Sequence, residues 1–286
     1  MAAHSRPGHG GPDRGEAVSR DRRPLTETVV QDKTAFMVRR EHRLISFLFI
    51  LGLFGVWELI ARLGLVSPLF LPAPSAILVT GYKMILSGEV FHHIGASLWR
   101  IFWGFSCAVI IGTFVGVLLG FFSVAESIGN PIIASTYPIP KIAILPLLIL
   151  WLGIGEYSKI TVIGLGVFFP MVINVYTGVR NADPVLIKAA ISLGSNPQRI
   201  ILKVILPSAL PMIFAGLKLG IGIALLLVVA AEMIAADAGI GFLILTSADL
   251  MQTTKLMFGI SLLSMLGLIF SWLIDRLEKL CIPWKK

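Results

Sequence analysis

From residue 44 onward the chain consists of long apolar runs separated by short polar or glycine- and proline-rich intervals. The runs cover residues 44–65, 97–122, 132–152, 158–179, 208–235 and 257–274. Each approaches or exceeds the roughly 20 mostly apolar residues that a helix needs to cross a bilayer core. In lipid every backbone N–H and C=O must be satisfied within the segment, which a helix does by itself. The pattern therefore predicts an all-α polytopic membrane protein with about six transmembrane helices.

Residues 183–207 interrupt this pattern: Asp-Pro-Val-Leu-Ile-Lys-Ala-Ala-Ile-Ser-Leu-Gly-Ser-Asn-Pro-Gln-Arg-Ile-Ile-Leu-Lys-Val-Ile-Leu-Pro. The interval is polar and basic, yet it carries the signals of two short helices. Asp183 is placed to accept a hydrogen bond from a free backbone N–H, and Pro184 suits the first helical position. Val185, Leu186, Ala189, Ala190 and Leu193 then share one helical face. Gly194 supplies the left-handed residue that ends a helix. Asn196 and Pro197 repeat the start signal for a second helix through Ile200, Ile201, Val204 and Ile205 to Leu206, closed by Pro207. The expected product is a helix–glycine–helix elbow whose apolar stripe must be covered by the protein's own spans or by a partner.

Several runs contain residues that a plain lipid-facing helix does not need. Glu58 lies near the end of the first run, where pairing with Arg62 is an adequate explanation. Leu71-Pro72-Ala73-Pro74-Ser75 is held extended by its prolines, and residues 75–86 read as a short amphipathic helix. Gly112, Gly116 and Gly120 in the second run are spaced for close backbone approach, so packing accounts for them. The third run carries Pro138, Pro140 and Pro146, which leave backbone carbonyls without their helical donors. Such irregularity is found beside translocation paths, and it is equally compatible with a kink. Glu232 is a carboxylate deep in the fifth run, either part of the outer pathway or bonded to a neighbouring helix terminus. Residues 237–245 form a glycine-broken apolar segment, read as a short re-entrant or surface helix.

Composition narrows the class. Apolar residues make up 56% of the chain and charged residues only 14%, against about a quarter in soluble domains. The net charge of +8 is therefore no nucleic-acid signal in itself, because Lys and Arg collect at the cytoplasmic side of membrane proteins. Residues 1–43 differ from the rest, being rich in Gly, Pro and Arg, and read as a disordered basic cytoplasmic tail. Its cluster Arg39-Arg40-Glu41-His42-Arg43 suits anionic lipid. Residues 44–286 form the membrane domain. Placing tail, elbow and C-terminus on one side gathers nearly all the basic residues there, so both termini are expected in the cytoplasm. Cys107 and Cys281 show no metal-type spacing or redox motif, and neither a metal nor a cofactor is expected.

The elbow also carries a resemblance. Lys188-Ala189-Ala190, Gly194 after a gap of three, and Val204-Ile205-Leu206-Pro207 together resemble the EAA coupling loop of ABC-importer permeases. Lys188 replaces the usual acid, and Val204 the usual Ile. The Leu-Pro-Ala-Pro-Ser turn at 71–75 resembles the branch of these permeases associated with nitrate, sulfonates and taurine. The resemblance runs from residue 44 to about residue 282. It implies that Lys188, Ala189, Ala190, Gly194, Leu206 and Pro207 form the surface that meets a separate ABC ATPase. It further implies a homodimer in the bacterial inner membrane, fed by an extracytoplasmic solute-binding protein. Solute would move inward by alternating access.

Other function classes fit less well. The Gly-x4-Gly-Lys-Ser/Thr loop that cradles phosphates is absent, so ATP hydrolysis is expected on a partner and the chain is not expected to be an enzyme. No Ser/His/Asp set, zinc spacing or carboxylate pair suggests intramembrane catalysis. An ion-coupled secondary transporter or a channel is the alternative. Ion-coupled carriers commonly show internal repeats and paired broken helices, whereas this chain offers one elbow and no obvious repeat.

Overall fold

The computed structural model describes residues 25–284, with side chains described from residue 44. Among these residues every regular element is helical. Residues up to Trp57 form one compact unit and residues from Glu58 form another.

The first unit holds most of α1 (Leu25–Arg62). Residues 1–24 of the expected tail lie outside the described residues, but α1 starts at Leu25, well before the expected boundary at 43. The cause is local: no Gly or Pro occurs from Leu25 to Leu51, and Leu, Glu, Gln, Lys, Ala, Met and Arg lose little freedom in a helix. Phe47, Leu48, Phe49 and Leu53 are exposed, as suits a helix surrounded by lipid.

The second unit begins with the last turn of α1. There Glu58 accepts from Arg62 Nε at 2.5 Å and from Ser75 N–H at 3.0 Å. Its carboxylate thus closes the start of α2 (Pro74–Leu86), whose Ala73 offers no side-chain cap. There follow α3 (Glu89–Phe121), α4 (Ser123–Thr136), a 3-10 turn (Lys141–Ile144), α5 (Leu145–Leu152) and α6 (Glu156–Arg180). The chain continues with α7 (Pro184–Ser192), α8 (Pro197–Ile200), a π-helical turn (Ile201–Ile205), α9 (Leu206–Ala235), α10 (Ile240–Asp249) and α11 (Thr253–Cys281). Among the described residues five helices are long and apolar enough to cross a membrane, or six if α4 and residues 141–152 make one bent span.

The core is α6 between α3 and α9. Val162, Ile163, Val167, Met171 and Val175 of α6 are wholly buried. α3 reaches them through its glycines. A β-carbon at Gly116 would stand 2.7 Å from Val175 Cβ and 2.8 Å from the Val172 carbonyl, so only a bare backbone fits. On the other side, a β-carbon at Gly178 of α6 would stand 3.0 Å from the Ala209 carbonyl of α9. A second cluster joins Met84, Val90, Ile240, Leu243, Leu262 and Leu266, so that α2, α3 and α11 close around α10.

The third expected span is not one straight helix. Phe122 is extended (φ −111°, ψ 114°), which stops α3 and lets α4 start at Ser123, between the second and third apolar runs. The chain then bends by 85° before α5. Pro138 and Pro140 have no N–H to give to Ala134 and Thr136, so the α-helical ladder cannot continue through them.

Candidate functional site

The elbow follows its sequence signals closely up to α8. Asp183 Oδ1 accepts from Val185 N–H at 2.8 Å, and Asn196 Oδ1 accepts from Arg199 N–H at 2.9 Å. Gly194 has φ +73°. Its N–H donates to Ile191 O at 2.9 Å, and Ser195 N–H donates to Ala190 O at 3.0 Å. This paired arrangement satisfies two end carbonyls and requires the left-handed residue. The stripe it carries is left uncovered: Val185, Leu186 and Leu193 are 69%, 51% and 85% exposed. Lys188 and Ala189 are exposed beside them, and Ala190 is half-buried. These apolar side chains share one face of α7 and are left for a surface outside this chain to cover.

The second elbow helix differs from expectation at its end. It does not close at Pro207, because α8 passes through the π turn into α9, and residues 197–235 form one continuous span. Leu206 N–H bonds to Ile201 O, five residues back. The wider turn clears the Lys203 carbonyl, against which the Pro207 ring would press in α geometry. Pro207 thus stands in the first turn of α9, where its missing N–H is least felt.

At the break between α4 and α5, Lys141 takes the place of the missing donors. Its Nζ donates to the carbonyls of Thr136, Tyr137 and Ile139 at 2.7, 3.2 and 2.9 Å. Pro138 and Pro140 lie within the loop so held, and Pro146 occupies the first turn of α5, where proline is tolerated.

Glu232 lies far from the elbow, at the other end of α9, with 0% of its surface exposed. Ser97 Oγ stands 2.8 and 3.0 Å from its two oxygens, Arg100 Nη1 donates at 2.8 Å, and Gly241 N–H donates at 2.8 Å. Ile240 N–H donates to Ser97 Oγ at 2.9 Å, and Gly239 N–H to His93 Nδ1 at 3.2 Å. Three of the free N–H groups at the start of α10, those of Gly239, Ile240 and Gly241, are thereby met. Arg100, itself 2% exposed, also donates to Ala238 O at 2.6 Å and twice to Glu156, each at 2.7 Å. Lys159 adds a bond to Ala235 O at 2.9 Å. A β-carbon at Gly239 would overlap the Glu232 carboxyl, so the approach depends on that glycine. The network binds α3, α6, α9 and α10 together.

The structure thus separates the candidate residues into three places rather than one pocket: elbow, helix break and buried network. Arg100 and Lys141 were missed in the sequence. The available signal was the same one that flagged Glu232, an ionisable residue inside an apolar run.

The family described as "Binding-protein-dependent transport system inner membrane component" matches residues 108–282. The chain is similar to the putative aliphatic sulfonates transport permease protein SsuC of Bacillus subtilis (strain 168), 37% identical over 81% of this chain and 84% of that protein. It is also similar to the taurine transport system permease protein TauC of Escherichia coli (strain K12), 36% identical over 81% of this chain and 86% of that protein. Among solved structures, the MetNI methionine ABC transporter in inward-facing conformations has a matching chain with a TM-score of 0.54 at 21% identity. That match covers 68% of this chain and 95% of the other, and it speaks to the fold.

Proposed function

This chain belongs to the family of binding-protein-dependent transport system inner membrane components, and from that premise we propose that it imports a small organic sulfonate such as taurine. It is a membrane-embedded permease subunit of an ABC importer, a class that works with a separate ATPase and a solute-binding protein. The observation carrying the substrate reading is that sulfonate and taurine permeases match this chain at 36–37% identity across most of its length.

In the proposed arrangement two copies pair in the bacterial inner membrane, with both termini in the cytoplasm. ATP is bound and hydrolysed on the partner subunits alone. Lys188, Ala189, Ala190 and Gly194 meet the ATPase, while Leu206 and Pro207 join that surface to α9. The exposed stripe of α7 supports this reading, since nothing among the described residues covers it. Because α8, the π turn and α9 run on without a break, a push on the elbow reaches the far end of α9 as a rigid displacement. The path is proposed to follow the helix break, with Pro138, Pro140 and Pro146 keeping it open. Glu232 acts on its outer end as the anchor of α10.

The test is uptake of labelled taurine or ethanesulfonate by cells expressing the permease with its ATPase and binding protein. Accumulation is expected, dependent on ATP and unaffected by a protonophore when ATP is kept up. Accumulation of neither sulfonate, with all three proteins present, would overturn the substrate reading. Accumulation driven by an ion gradient without ATP would favour a secondary carrier.

A further inference from the structure

Lys141 does more at the helix break than a cap requires. Its ammonium holds three carbonyls and stands 4.4 Å from the centroid of the Phe169 ring, at midlength of α6. Capping accounts for the three hydrogen bonds. It does not account for a cation, because neutral donors or water satisfy carbonyls without placing a charge inside an apolar segment.

The charge also lacks a counter-charge. Arg100, Lys159 and Lys218, set inside other spans, each stand beside a carboxylate. Among the described residues no carboxylate forms an ion pair with Lys141. A cavity of about 330 Å³ adjoins the break on the elbow side, between α4 and α6. Its lining mixes Asn130, Tyr137, Tyr176 and Thr177 with the apolar Ile133, Ala134, Val172 and Ile173, and the Tyr176 and Thr177 hydroxyls donate to Glu126 and to the Ile173 carbonyl. The break, the unpaired cation and the cavity thus lie in succession along one side of α6.

We propose that Lys141 receives the anionic group of the solute as it passes the break between α4 and α5. The chemical class, a sulfonate, rests on the function proposed above. The anion supplies the counter-charge that the chain leaves out. The bond to Tyr137 O is the longest of the three, at 3.2 Å, and is the one given up when the anion arrives. The solute then moves on into the cavity beside Asn130 and Tyr137. A discontinuous span carrying unpaired charge beside the middle of α6 is well suited to binding that is strong enough to select and weak enough to release.

The test replaces Lys141 by cysteine in the full transporter, with Cys107 and Cys281 changed to serine, and follows ethanesulfonate uptake. Lys141→Cys should lower uptake by about ten-fold or more, as expected for loss of one partly screened charge contact. Alkylthiolation then puts chosen groups back on the new thiol. An aminoethyl group restores both charge and N–H donors, a trimethylammonioethyl group restores charge without donors, and a methyl group restores neither. Full recovery with aminoethyl, partial recovery with trimethylammonioethyl and none with methyl is the expected result. Recovery with aminoethyl alone would make Lys141 a helix cap and overturn the proposal, as would wild-type uptake by untreated Lys141→Cys. If the parent transporter takes up ethanesulfonate, either of those results leaves the substrate reading standing. If the parent takes up neither ethanesulfonate nor taurine, the substrate reading fails first and takes the anion role of Lys141 with it.

Discussion

Arg100 and Glu232 are unequal partners in one buried ion pair. Arg100 holds Glu232, Glu156 and the Ala238 carbonyl together, whereas Glu232 has Ser97 and Gly241 as further donors. Removing one member of a buried pair leaves an uncompensated charge, at a cost of about 3–5 kcal/mol. Arg100→Met should therefore lower the melting temperature of the purified subunit sharply. Glu232→Gln keeps the size and much of the hydrogen bonding and should cost about 1–3 kcal/mol. The double variant should be more stable than Arg100→Met alone, because no buried carboxylate is left stranded. Equal melting of Arg100→Met and wild type would remove the pair from the structural account. At this scale the sequence was partly legible. Glu232 stood out as a lone acid in an apolar run, and bonding to a neighbouring helix terminus was among the readings it allowed. Arg100 carried the same signal, a charge inside an apolar run, but its partners lie 56 to 138 residues away and no local pattern announces them.

The elements were most legible where local chemistry decides them. Asp183-Pro184, Gly194 and Asn196-Pro197 each specify a helix end through their own backbone needs, and the elbow appears where they stand. The third span was less legible, because Pro138 and Pro140 allow either a kink or a full break. The 85° bend is held by Lys141, whose reach to three carbonyls depends on tertiary placement. Pro207 was misplaced for a similar reason. A proline near a helix start ends the preceding helix only if that helix keeps α geometry, and here a π turn absorbs it. The glycine spacing in α3 was visible in the sequence, but its partner helix was not. Gly116→Val supplies a direct check on that pairing. Its added β-carbon meets Val175 Cβ at 2.7 Å and the Val172 carbonyl at 2.8 Å, so α3 and α6 must separate. Overpacking of this kind costs about 1–3 kcal/mol. The variant should unfold at lower temperature, while valine at Gly222, where no atom lies within 4 Å, should avoid that clash and lose less. Equal losses at the two positions would contradict the packing described.

At the scale of the whole molecule, the buried network and the elbow stand at opposite ends of one continuous helical run. Residues 197–235 connect them, and α6 lies packed along α9 for much of that length. In the proposed coupling, a displacement of α8 is carried along α9 to its far end without a break in the helix, as a two-state rearrangement requires. The account depends on the elbow being the surface that meets the ATPase. The most direct measurement is the amount of ATPase that co-purifies with Gly194→Val, alongside solute uptake. Valine at φ +73° costs about 1–2 kcal/mol locally, too little to unfold a subunit held by long packed spans. It turns α7 away and misplaces Ala189 and Ala190. Gly194→Val should accumulate in the membrane at the wild-type level, retain little ATPase and lose most uptake. Wild-type uptake with the usual complement of bound ATPase would contradict the coupling role assigned to the elbow.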